Sequence, residues 1–371
     1  MYSTMLQLFH FILDHRVGGP HVYVQTLTVA LGPQVQSTLV TTGNGPATDL
    51  ALVNLRHLHR ALYPVEVVCN ALRLFWRFRR REARRNCVFD VHGAANVAPL
   101  MVARLLGIPV VWHFHETLGS LRSLARLGQI VLRGGRYKCI VVARAAIDTF
   151  RLKDAILIPG AVDFDFWSSA KYARPPRNCA RRLRILSVGN LNPLKGVDVL
   201  LRALETFGEP WELVIVGAEL QTYAGYAQEV RDHAGRLESP SRRIRFAGWQ
   251  SREEVRSLMA DSDVFVLPSK SEACPLALLE AMATGRVCVA TDVGDVREIL
   301  EAKGCGIVVP RESPSALAAA FEYVAEMGTA ERKRLGKMAK ETIVERYSLQ
   351  KQAAKHLGIY KDLVLASERT I

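Results

Sequence analysis

The sequence has little of what marks a secreted, membrane-spanning or metal-stabilised protein. Its seven cysteines are scattered, odd in number and free of any Cys-x-x-Cys pair, which argues against a disulfide framework or a zinc site. The longest apolar runs are only as long as a strand, so no membrane-spanning helix is predicted. The chain does not open on a basic segment followed by an apolar stretch and a cleavage site. We therefore expect a reduced, cytoplasmic protein.

Short apolar strands alternate with helical segments along all 371 residues. This alternation predicts α/β domains with doubly wound parallel sheets, which bind ligands at the carboxyl ends of their strands. The length suffices for two such domains, at 1–167 and 183–346, joined by a Pro-containing basic linker at 168–182 and followed by a terminal helical segment at 347–371. The predicted strands are 6–13, 35–42, 65–69, 88–91, 109–114, 139–143, 155–158, 184–188, 211–216, 244–246, 264–267, 287–290 and 306–309.

Acidic residues are scarce in the first half of the chain. Residues 1–177 contain 22 Lys or Arg against 10 Asp or Glu, whereas the remainder has 27 against 26. The basic excess centres on 71–86, where aromatic residues are interleaved with Arg73, Arg77, Arg79, Arg80, Arg81, Arg84 and Arg85. Such a segment can lie on an anionic membrane surface, or it can be the solvated face of an ordinary core helix. No nucleic-acid-binding module is recognisable, so nucleic acid is not an expected partner.

Two glutamates, Glu272 and Glu280, lie in a predicted strand–loop–helix segment between Ser269 and Gly285. Pro275 suits the first turn of the helix, and a helix N-terminus next to a loop is an anion site because its backbone N–H groups point outward. Carboxylates would repel phosphate there, but they accept hydrogen bonds from sugar hydroxyls. The segment therefore predicts a nucleotide-sugar site. The alternative is that Glu272 caps the helix and Glu280 is an exposed helix residue.

The next strand, 287–290, runs into Thr291, Asp292, Val293 and Gly294. With this turn the sequence resembles the retaining glycosyltransferases of family 4, and the resemblance extends over nearly the whole chain. It implies the GT-B fold, with two Rossmann-like domains facing a central cleft and the terminal helix crossing back to the first domain. It also implies that Glu272 lies beside the transferred sugar as a catalytic residue, and that Glu280 binds the nucleotide ribose.

The segment from Gly189 to Gly196 resembles the phosphate loop of that family. Lys195 is in place, but Asn190 stands where an arginine is expected, and it offers a hydrogen bond without a charge. Ala273 and Cys274 replace the usual glycine and aromatic residue after the first glutamate. The predicted donor-binding residues are Gly18, Gly19, Gly189, Asn190, Lys195, Ala273, Cys274, Pro275, Leu276 and Glu280.

His115 stands at the end of a predicted strand in the first domain, where this fold would face the acceptor. The family has a functional histidine at a similar strand end, so the resemblance implies a catalytic role. His113 and His92 lie at comparable positions, and any of the three could instead be a satisfied structural histidine.

The resemblance implies a retaining enzyme that moves a hexosyl unit from a nucleoside-diphosphate sugar to a hydroxyl. The expected acceptor is a lipid-linked glycan in the assembly of a bacterial surface polysaccharide, such as lipopolysaccharide. The expected location is the inner face of the plasma membrane, to which the protein would be peripherally attached. No His/Cys ligand cluster was recognised in the sequence, so neither a metal nor another cofactor is expected. The alternatives are a nucleotide-sugar epimerase or sugar phosphorylase of the same fold, and a non-catalytic basic adaptor for membrane or nucleic acid.

Overall fold

The chain divides into two α/β units, each with its own sheet and core. The first consists of Met1–Gly160 with Leu349–Ile371, and the second of Ala161–Ser348. The computed structural model describes residues 5–13, 19–43, 48–55, 60–117, 119–170 and 182–368. None of the helices within these ranges is long and apolar enough to cross a membrane.

Thirteen strands form the two sheets. They are β1 (Leu6–Ile12), β2 (Val35–Thr42), β3 (Leu50–Leu52), β4 (Cys87–His92), β5 (Val110–Phe114), β6 (Tyr137–Val141), β7 (Ile156–Leu157), β8 (Leu183–Val188), β9 (Trp211–Val216), β10 (Arg242–Gly248), β11 (Val264–Leu267), β12 (Val287–Thr291) and β13 (Ile307–Val309).

The helices lie between these strands and after the last of them. They are α1 (Gly19–Leu31), α2 (Tyr63–Phe78), α3 (Val97–Leu106), α4 (Arg122–Leu132), α5 (Arg144–Phe150), α6 (Phe164–Ser168), α7 (Val197–Thr206), α8 (Ala224–Leu237), α9 (Arg252–Asp261), α10 (Leu276–Thr284), α11 (Val296–Glu301), α12 (Pro314–Glu326), α13 (Thr329–Arg346) and α14 (Leu349–Glu368).

The sheet of the first unit has the strand order β3-β2-β1-β4-β5-β6-β7, and every neighbouring pair is parallel. Strands β4 and β5 are buried along their whole length, as expected when helices cover both faces of a parallel sheet. The strand order reverses between β1 and β4. Ligands of doubly wound sheets bind outside the carboxyl ends of the strands at such a reversal.

The second unit repeats this plan with the order β10-β9-β8-β11-β12-β13, again all parallel. Its reversal point lies between β8 and β11. The predicted doubly wound α/β architecture is therefore confirmed for both units. Each is a Rossmann-like sheet, and in the second unit the two strands at the reversal point precede the predicted loops of Lys195 and Glu272.

One predicted strand is wrong. Residues 65–69 belong to α2, and Glu66, Asn70, Leu74 and Phe78 are buried on it at four-residue intervals, which is the spacing of one helix face. Asn70 accepts a hydrogen bond from the backbone N–H of Val53 at 2.8 Å and donates one to its carbonyl at 2.9 Å. Burial of this face outweighs the local preference of a β-branched run for strands.

The two units meet at Gly160 along the chain rather than after Trp167. Helix α6 follows this point and packs against α10 of the second unit, with Trp167 buried in that unit's core. Most of the predicted linker, 171–181, lies outside the described residues. The terminal helix α14 packs on α1 and contributes Tyr360 to the core of the first unit.

Candidate active site

The first glutamate of the predicted site is held by its own loop and by a lysine from the loop after β8. Glu272 follows β11, and its Oε1 accepts a hydrogen bond from Ser269 Oγ at 2.7 Å. The same oxygen lies 2.6 Å from Lys195 Nζ. The Glu272 side chain is mostly buried, at 11% exposure, whereas that of Lys195 is 31% exposed. The predicted catalytic carboxylate and the predicted phosphate-binding ammonium therefore form an ion pair.

Lys195 reaches this position from the loop after β8. It ends a short 3-10 helix, Pro193–Lys195, whose start is capped by the Asn192 side chain through the N–H of Leu194 at 3.0 Å. The lysine stem lies against Gly189, where an added Cβ would come within 3.3 Å of it. The N–H of Lys270 donates to the Leu194 carbonyl at 2.8 Å, which joins this loop to the one that carries Glu272.

Two glycines permit the close approach of these loops. Gly196 has a φ of +66°, and a Cβ on it would lie 2.0 Å from the carbonyl oxygen of Pro268. Gly294, with a φ of +53°, would place a Cβ 2.4 Å from the carbonyl oxygen of Ala273. A side chain at either position would force backbones apart, in a conformation that glycine adopts more readily than other residues. The turn after β12 is thus packed directly against the glutamate loop.

Thr291 ties that turn down further, because its Oγ1 donates to the carbonyl of Ser269 at 2.5 Å. The N–H of Asp295 donates to the Ala273 carbonyl at 3.2 Å. Beyond Ala273, the half-buried Cys274 leads to Pro275, which caps α10 at the N-terminus without a side-chain hydrogen bond, and Leu276 is the first helical residue. The first-turn N–H groups of a helix lack intrahelical acceptors, so α10 presents donors beside Glu272.

The second glutamate, Glu280, lies about one turn into α10 and is half-buried. Burial raises the pKa of its carboxyl to about 7, although the positive charge of Arg252 acts in the opposite direction. A carboxylate at this position is expensive to ionise unless a ligand donates hydrogen bonds to it. The raised pKa is consistent with a carboxyl group that receives hydrogen bonds from a bound ligand.

Asn190, a predicted donor-binding residue, makes two hydrogen bonds within these loops. Its Oδ1 accepts the N–H of Ala218 at 3.1 Å, and its carbonyl accepts from Asn192 Nδ2 at 3.2 Å. Both contacts organise the loops after β8 and β9. Lys270 is a second cation in the same loops, which the sequence analysis missed, and its Nζ pairs with Asp198 Oδ2 at 3.0 Å. Of these two cations, Lys195 is the one that pairs with the predicted catalytic carboxylate, Glu272.

The chain contains two Asp-x-Asp pairs, Asp163/Asp165 and Asp261/Asp263, that were not recognised in the sequence, and one carboxylate of each has a structural partner. Asp163 caps α6 by accepting the N–H of Phe166 at 3.1 Å. Asp263 accepts from Arg184 at 2.8 and 3.0 Å, in a bidentate pair next to the start of β8. Of the two other predicted glycines, Gly19 is the first residue of α1, and Gly18 lies outside the described residues.

The first unit holds a second group of polar side chains, which we call the histidine cluster: His10, His92, His113, His115 and His356 around Asp90. Strand register explains their convergence, because His10 lies opposite Asp90 and His92 lies opposite His113. Asp90 Oδ2 is 2.7 Å from His10 Nδ1 and 3.1 Å from His92 Nε2, and its Oδ1 is 2.8 Å from His113 Nε2. His92 Nδ1 continues the chain to His115 Nε2 at 2.8 Å.

The environment of the cluster keeps several imidazoles neutral. Burial lowers the pKa of His92 to about 4 and that of His356 to about 3. Burial, together with the neighbouring His92 and His113, holds the pKa of His115 well below its ordinary value. Burial alone would raise the pKa of Asp90, but the surrounding histidines hold it well below its ordinary value. The cluster is therefore a buried carboxylate among imidazoles, most of them uncharged at neutral pH.

His115 stands at the exposed edge of the cluster, just beyond β5. Glu116 fixes its backbone by accepting the N–H of His115 at 3.0 Å and that of Ala94 at 2.7 Å. At the opposite side, Tyr23 of α1 and His356 of α14 share a hydrogen bond of 2.8 Å. The structure thus brings His92, His113 and His115 together, where the sequence analysis had treated them as alternatives.

The members His10, Asp90 and His356 were not found from the sequence. The available signal was the placement of polar residues near the ends of apolar strands, with His10 on β1 and Asp90 two residues before His92 on β4. These positions predict a cluster only if β1, β4 and β5 are known to be neighbours in the sheet, and the strand order cannot be read from the sequence. The expectation that the chain has no cluster of metal-ligand type is corrected by this geometry.

Comparison with known proteins identifies the second unit. Residues 173–342 match the family model "Glycosyl transferases group 1". A phosphatidyl-myo-inositol mannosyltransferase of Mycobacterium tuberculosis is 32% identical over 227 residues, which are 57% of this chain and 56% of that protein. The amylovoran biosynthesis glycosyltransferase AmsK of Erwinia amylovora is 32% identical over 151 residues, 37% of this chain and 34% of that protein. The chain thus aligns with about half or less of each of these two relatives.

Other similarities span more of the chain. The alpha-D-kanosaminyltransferase of Streptomyces kanamyceticus is 24% identical over 329 residues, covering 79% of this chain and 82% of that protein. Among solved structures, Anabaena Alr3699/HepE in complex with UDP and glucose superposes with a TM-score of 0.76 at 16% identity, over 95% of this chain and 99% of that one. Residues 173–342 are thus similar to a group 1 glycosyltransferase domain, and the chain has the GT-B fold of these solved structures.

Proposed function

We propose that the protein is a retaining glycosyltransferase of the family-4 type, which transfers a hexosyl unit from a nucleoside-diphosphate sugar to an acceptor hydroxyl. The observation that carries this proposal is the Lys195–Glu272 pair at 2.6 Å, set beside the N-terminus of α10 at the sheet reversal of the second unit. Lys195 is a cation that can bind phosphate, the N–H groups at the start of α10 can donate to an anion, and the carboxylate of Glu272 can accept hydrogen bonds from hydroxyl groups.

The donor diphosphate would replace Glu272 as the partner of Lys195. Its negative charge would be met by that ammonium and by the first-turn N–H groups of α10, so no metal ion is assigned to the leaving group. Glu272, released from the lysine, would accept hydrogen bonds from the sugar. Glu280 would bind the ribose, and its raised pKa fits a carboxyl that awaits donors. The UDP and glucose in the HepE complex support a nucleotide-sugar donor.

Acceptor activation would fall to His115, at the carboxyl edge of the first unit's sheet. Its imidazole is held by His92 at 2.8 Å, and its low pKa leaves it neutral and able to accept a proton or a hydrogen bond. Retention would follow from attack on the face that the diphosphate leaves, with no covalent enzyme intermediate.

The acceptor we propose is a lipid-linked glycan in the assembly of a bacterial surface polysaccharide. Two relatives support this class: one is named for phosphatidyl-myo-inositol and the other for biosynthesis of amylovoran. The exposed face of α2 supports a membrane location at the inner leaflet of the plasma membrane. Apolar side chains recur on it at intervals of three to four residues with 50–62% exposure: Val65, Val68, Leu72 and Trp76.

Basic residues surround this apolar stripe. Arg73 and Arg77 lie on the same helix, and Arg79 covers the Trp76 ring at 4.3 Å. Just beyond, a groove of about 860 Å³ is lined by Arg81, Arg84, Arg85, Arg104 and Arg136. An apolar stripe flanked by arginines is the pattern of a helix that lies in an anionic membrane interface.

A titration series tests the donor half of the proposal. Binding of UDP, GDP and ADP and of their sugars to the full-length protein is measured calorimetrically, with and without Lys195→Ala. We expect one diphosphate to bind and the variant to lose it. If the diphosphate is released only when an acceptor is added, the protein is a transferase. If no diphosphate is released but the sugar of the nucleotide-sugar is converted to its epimer, the protein is an epimerase. Absence of heat with every nucleotide would favour a non-catalytic adaptor.

A further inference from the structure

Three imidazoles converge at the carboxyl edge of β4 and β5 in the first unit. One ligand atom from each of His92, His113 and His115 lies within 4.8 Å of the corresponding atoms of the other two. Three imidazole nitrogens around one point form the protein ligand set of a His₃ zinc site, in which the fourth position stays open. Imidazole is also a good ligand for copper, iron and nickel.

His113 indicates that the cluster is not satisfied by its own hydrogen bonds. Its side chain is fully buried, and Nε2 faces Asp90 Oδ1 at 2.8 Å. Its other ring nitrogen, Nδ1, has no hydrogen-bond partner within the described part of the chain. Buried polar atoms almost always have a partner, and an ion that the polypeptide does not supply is one reason for an exception.

Asp90 has the place of an outer-shell carboxylate. Its two oxygens face Nε2 of His92 at 3.1 Å and Nε2 of His113 at 2.8 Å. Metal-binding histidines usually give their second ring nitrogen to a carboxylate, which orients the ring and fixes the tautomer. With Nε2 protonated towards Asp90, both rings carry their lone pair on Nδ1. The single negative charge of Asp90 would also offset part of the charge of a divalent cation.

We propose that His92, His113 and His115 bind one divalent transition-metal ion, with zinc as the fitting species and Asp90 as the carboxylate that orients two of its ligands. His92 would bind through Nδ1 and His115 through Nε2, which now lie 2.8 Å apart. At metal–nitrogen bonds near 2.05 Å, tetrahedral coordination separates ligand nitrogens by about 3.4 Å, so the pair must open by roughly half an ångström. His115 follows the end of β5 and can make this adjustment.

The half-buried position of His115 also gives the ion a route in and leaves its fourth coordination position open for water or another oxygen ligand. The other set of suitable spacing, His10, Asp90 and His92, is less fitting. All three of its members are buried, and they already pair with one another at 2.7 and 3.1 Å. The proposed site lies wholly in the first unit, and metal uptake can be measured whether or not the transfer reaction takes place. With an ion on its Nε2, His115 would no longer have a free ring nitrogen to accept the proton of an acceptor hydroxyl, so the two proposals give this residue different roles.

Metal uptake by the full-length, tag-free protein tests the site. The protein is stripped with chelator, dialysed against Zn²⁺ or Co²⁺ and analysed for bound metal, and the visible spectrum of the Co²⁺ form is recorded. We expect one ion per chain and the intense absorption of tetrahedral Co²⁺. His115→Gln should weaken binding at least 10-fold, and Asp90→Asn should weaken it by roughly 10- to 100-fold, as is typical for outer-shell residues.

His233→Gln is the matched control. His233 lies on α8 of the second unit, where its Nε2 is 2.6 Å from Glu205 Oε1, and its substitution should leave uptake unchanged. A Zn²⁺-dependent rise in the melting temperature of the wild type, absent from His115→Gln, is a second readout that needs no activity. His115 is the preferred target because it is less buried than His113, and melting curves verify that the variant is folded. Uptake below one-tenth of an ion per chain, or equal uptake by wild type and His115→Gln, would overturn the proposal.

Discussion

The two sheets have the same strand order around their reversal points, but they place opposite kinds of chemistry there. In the second unit the loops after β8 and β11 bring formal charges together at a partly exposed surface, with Lys195 and Glu272 as the central pair. In the first unit the facing ends of β1, β4 and β5 bury a carboxylate among imidazoles that burial keeps mostly neutral. The same strand order therefore holds an ion pair at the surface of one unit and a buried polar cluster in the other.

The cause of this difference lies in where the polar residues begin. In the second unit β11 is apolar to its last residue, Leu267, and the polar side chains follow in the loop. In the first unit His10, Asp90 and His113 lie within the strands themselves. Side chains in a loop can change partner at small cost, whereas those inside a packed sheet keep theirs.

The largest effect is expected from Glu272→Gln. If the carboxylate acts on the reacting sugar, turnover should fall by about 10²- to 10³-fold, the range typical of a group that stabilises developing charge. Diphosphate binding should not weaken, because Lys195 loses its competing partner. Steady-state rates and calorimetric dissociation constants measure the two effects. Glu322→Gln, an exposed position on α12, is the control, and unchanged turnover in folded Glu272→Gln would remove this loop from the active site.

Lys195→Ala should produce the next largest change. A charged hydrogen bond contributes about 1.5–3 kcal/mol, so the diphosphate should bind roughly 10- to 100-fold more weakly while the bare nucleoside is little affected. Isothermal titration with both ligands measures the difference. Lys337→Ala, at an exposed position on α13, should alter neither. Equal losses for diphosphate and nucleoside would show that Lys195 stabilises the loops rather than binding phosphate.

Glu280 gives the second unit a pH response. Its pKa of about 7 lies above the ordinary 4.5, so the carboxyl becomes the stronger acceptor for ribose hydroxyls as the pH rises from 6 to 8. Affinity for the nucleoside should increase by up to about 10-fold over this range, and the bare nucleoside avoids the titration of the phosphates. The profile of Glu280→Gln should be flat.

The same shift affects stability with the opposite sign. Because the folded state favours the protonated carboxyl, its contribution to stability is complete below pH 4.5 and is lost as the pH rises towards 7. The melting temperature of the wild type, compared with that of Glu280→Gln, should therefore decline over this interval. A wild-type profile parallel to that of the variant in both measurements would contradict the assigned pKa.

The smallest change concerns the basic face of the first unit. Arg80→Gln should weaken attachment to anionic vesicles by about 5-fold, because each basic residue near such a surface contributes about 1 kcal/mol. Arg243→Gln, exposed on β10 of the nearly neutral second half, should have no effect. Co-sedimentation at low and high salt measures both, and the attraction should fade at high salt. Equal binding to anionic and neutral vesicles would mean that the arginines form only a solvated face.

Local signals in the sequence predicted the parts of the molecule that depend on neighbouring residues. Apolar runs of strand length located most of the strands. Glu272 and Lys195 could be predicted because each lies in a loop between a recognisable strand and the helical segment that follows it. Residues 65–69 were misread because burial of one face of α2 against the rest of the unit decided their structure. Asn190 remains a predicted donor-binding residue, and its hydrogen bond to Ala218 could not be foreseen because it joins loops that are distant in the sequence.

The histidine cluster could not be predicted from patterns among residues that are close in the sequence. His10 and Asp90 are 80 residues apart, and their contact exists only because β1 and β4 are adjacent in register. His356 joins them from α14, near the opposite end of the chain. No spacing rule along one strand contains this information, which arises from the order of strands in the sheet.

The return of α14 to the first unit has a consequence for synthesis on the ribosome. Domains usually fold as units in the order in which they emerge, the N-terminal one first. Here the second unit, Ala161–Ser348, is complete before the first, because Leu349 and the residues after it are translated last. Until then Tyr23 lacks His356, and the core of the first unit lacks Tyr360. The half of the molecule that is translated first is thus the last to reach its finished fold.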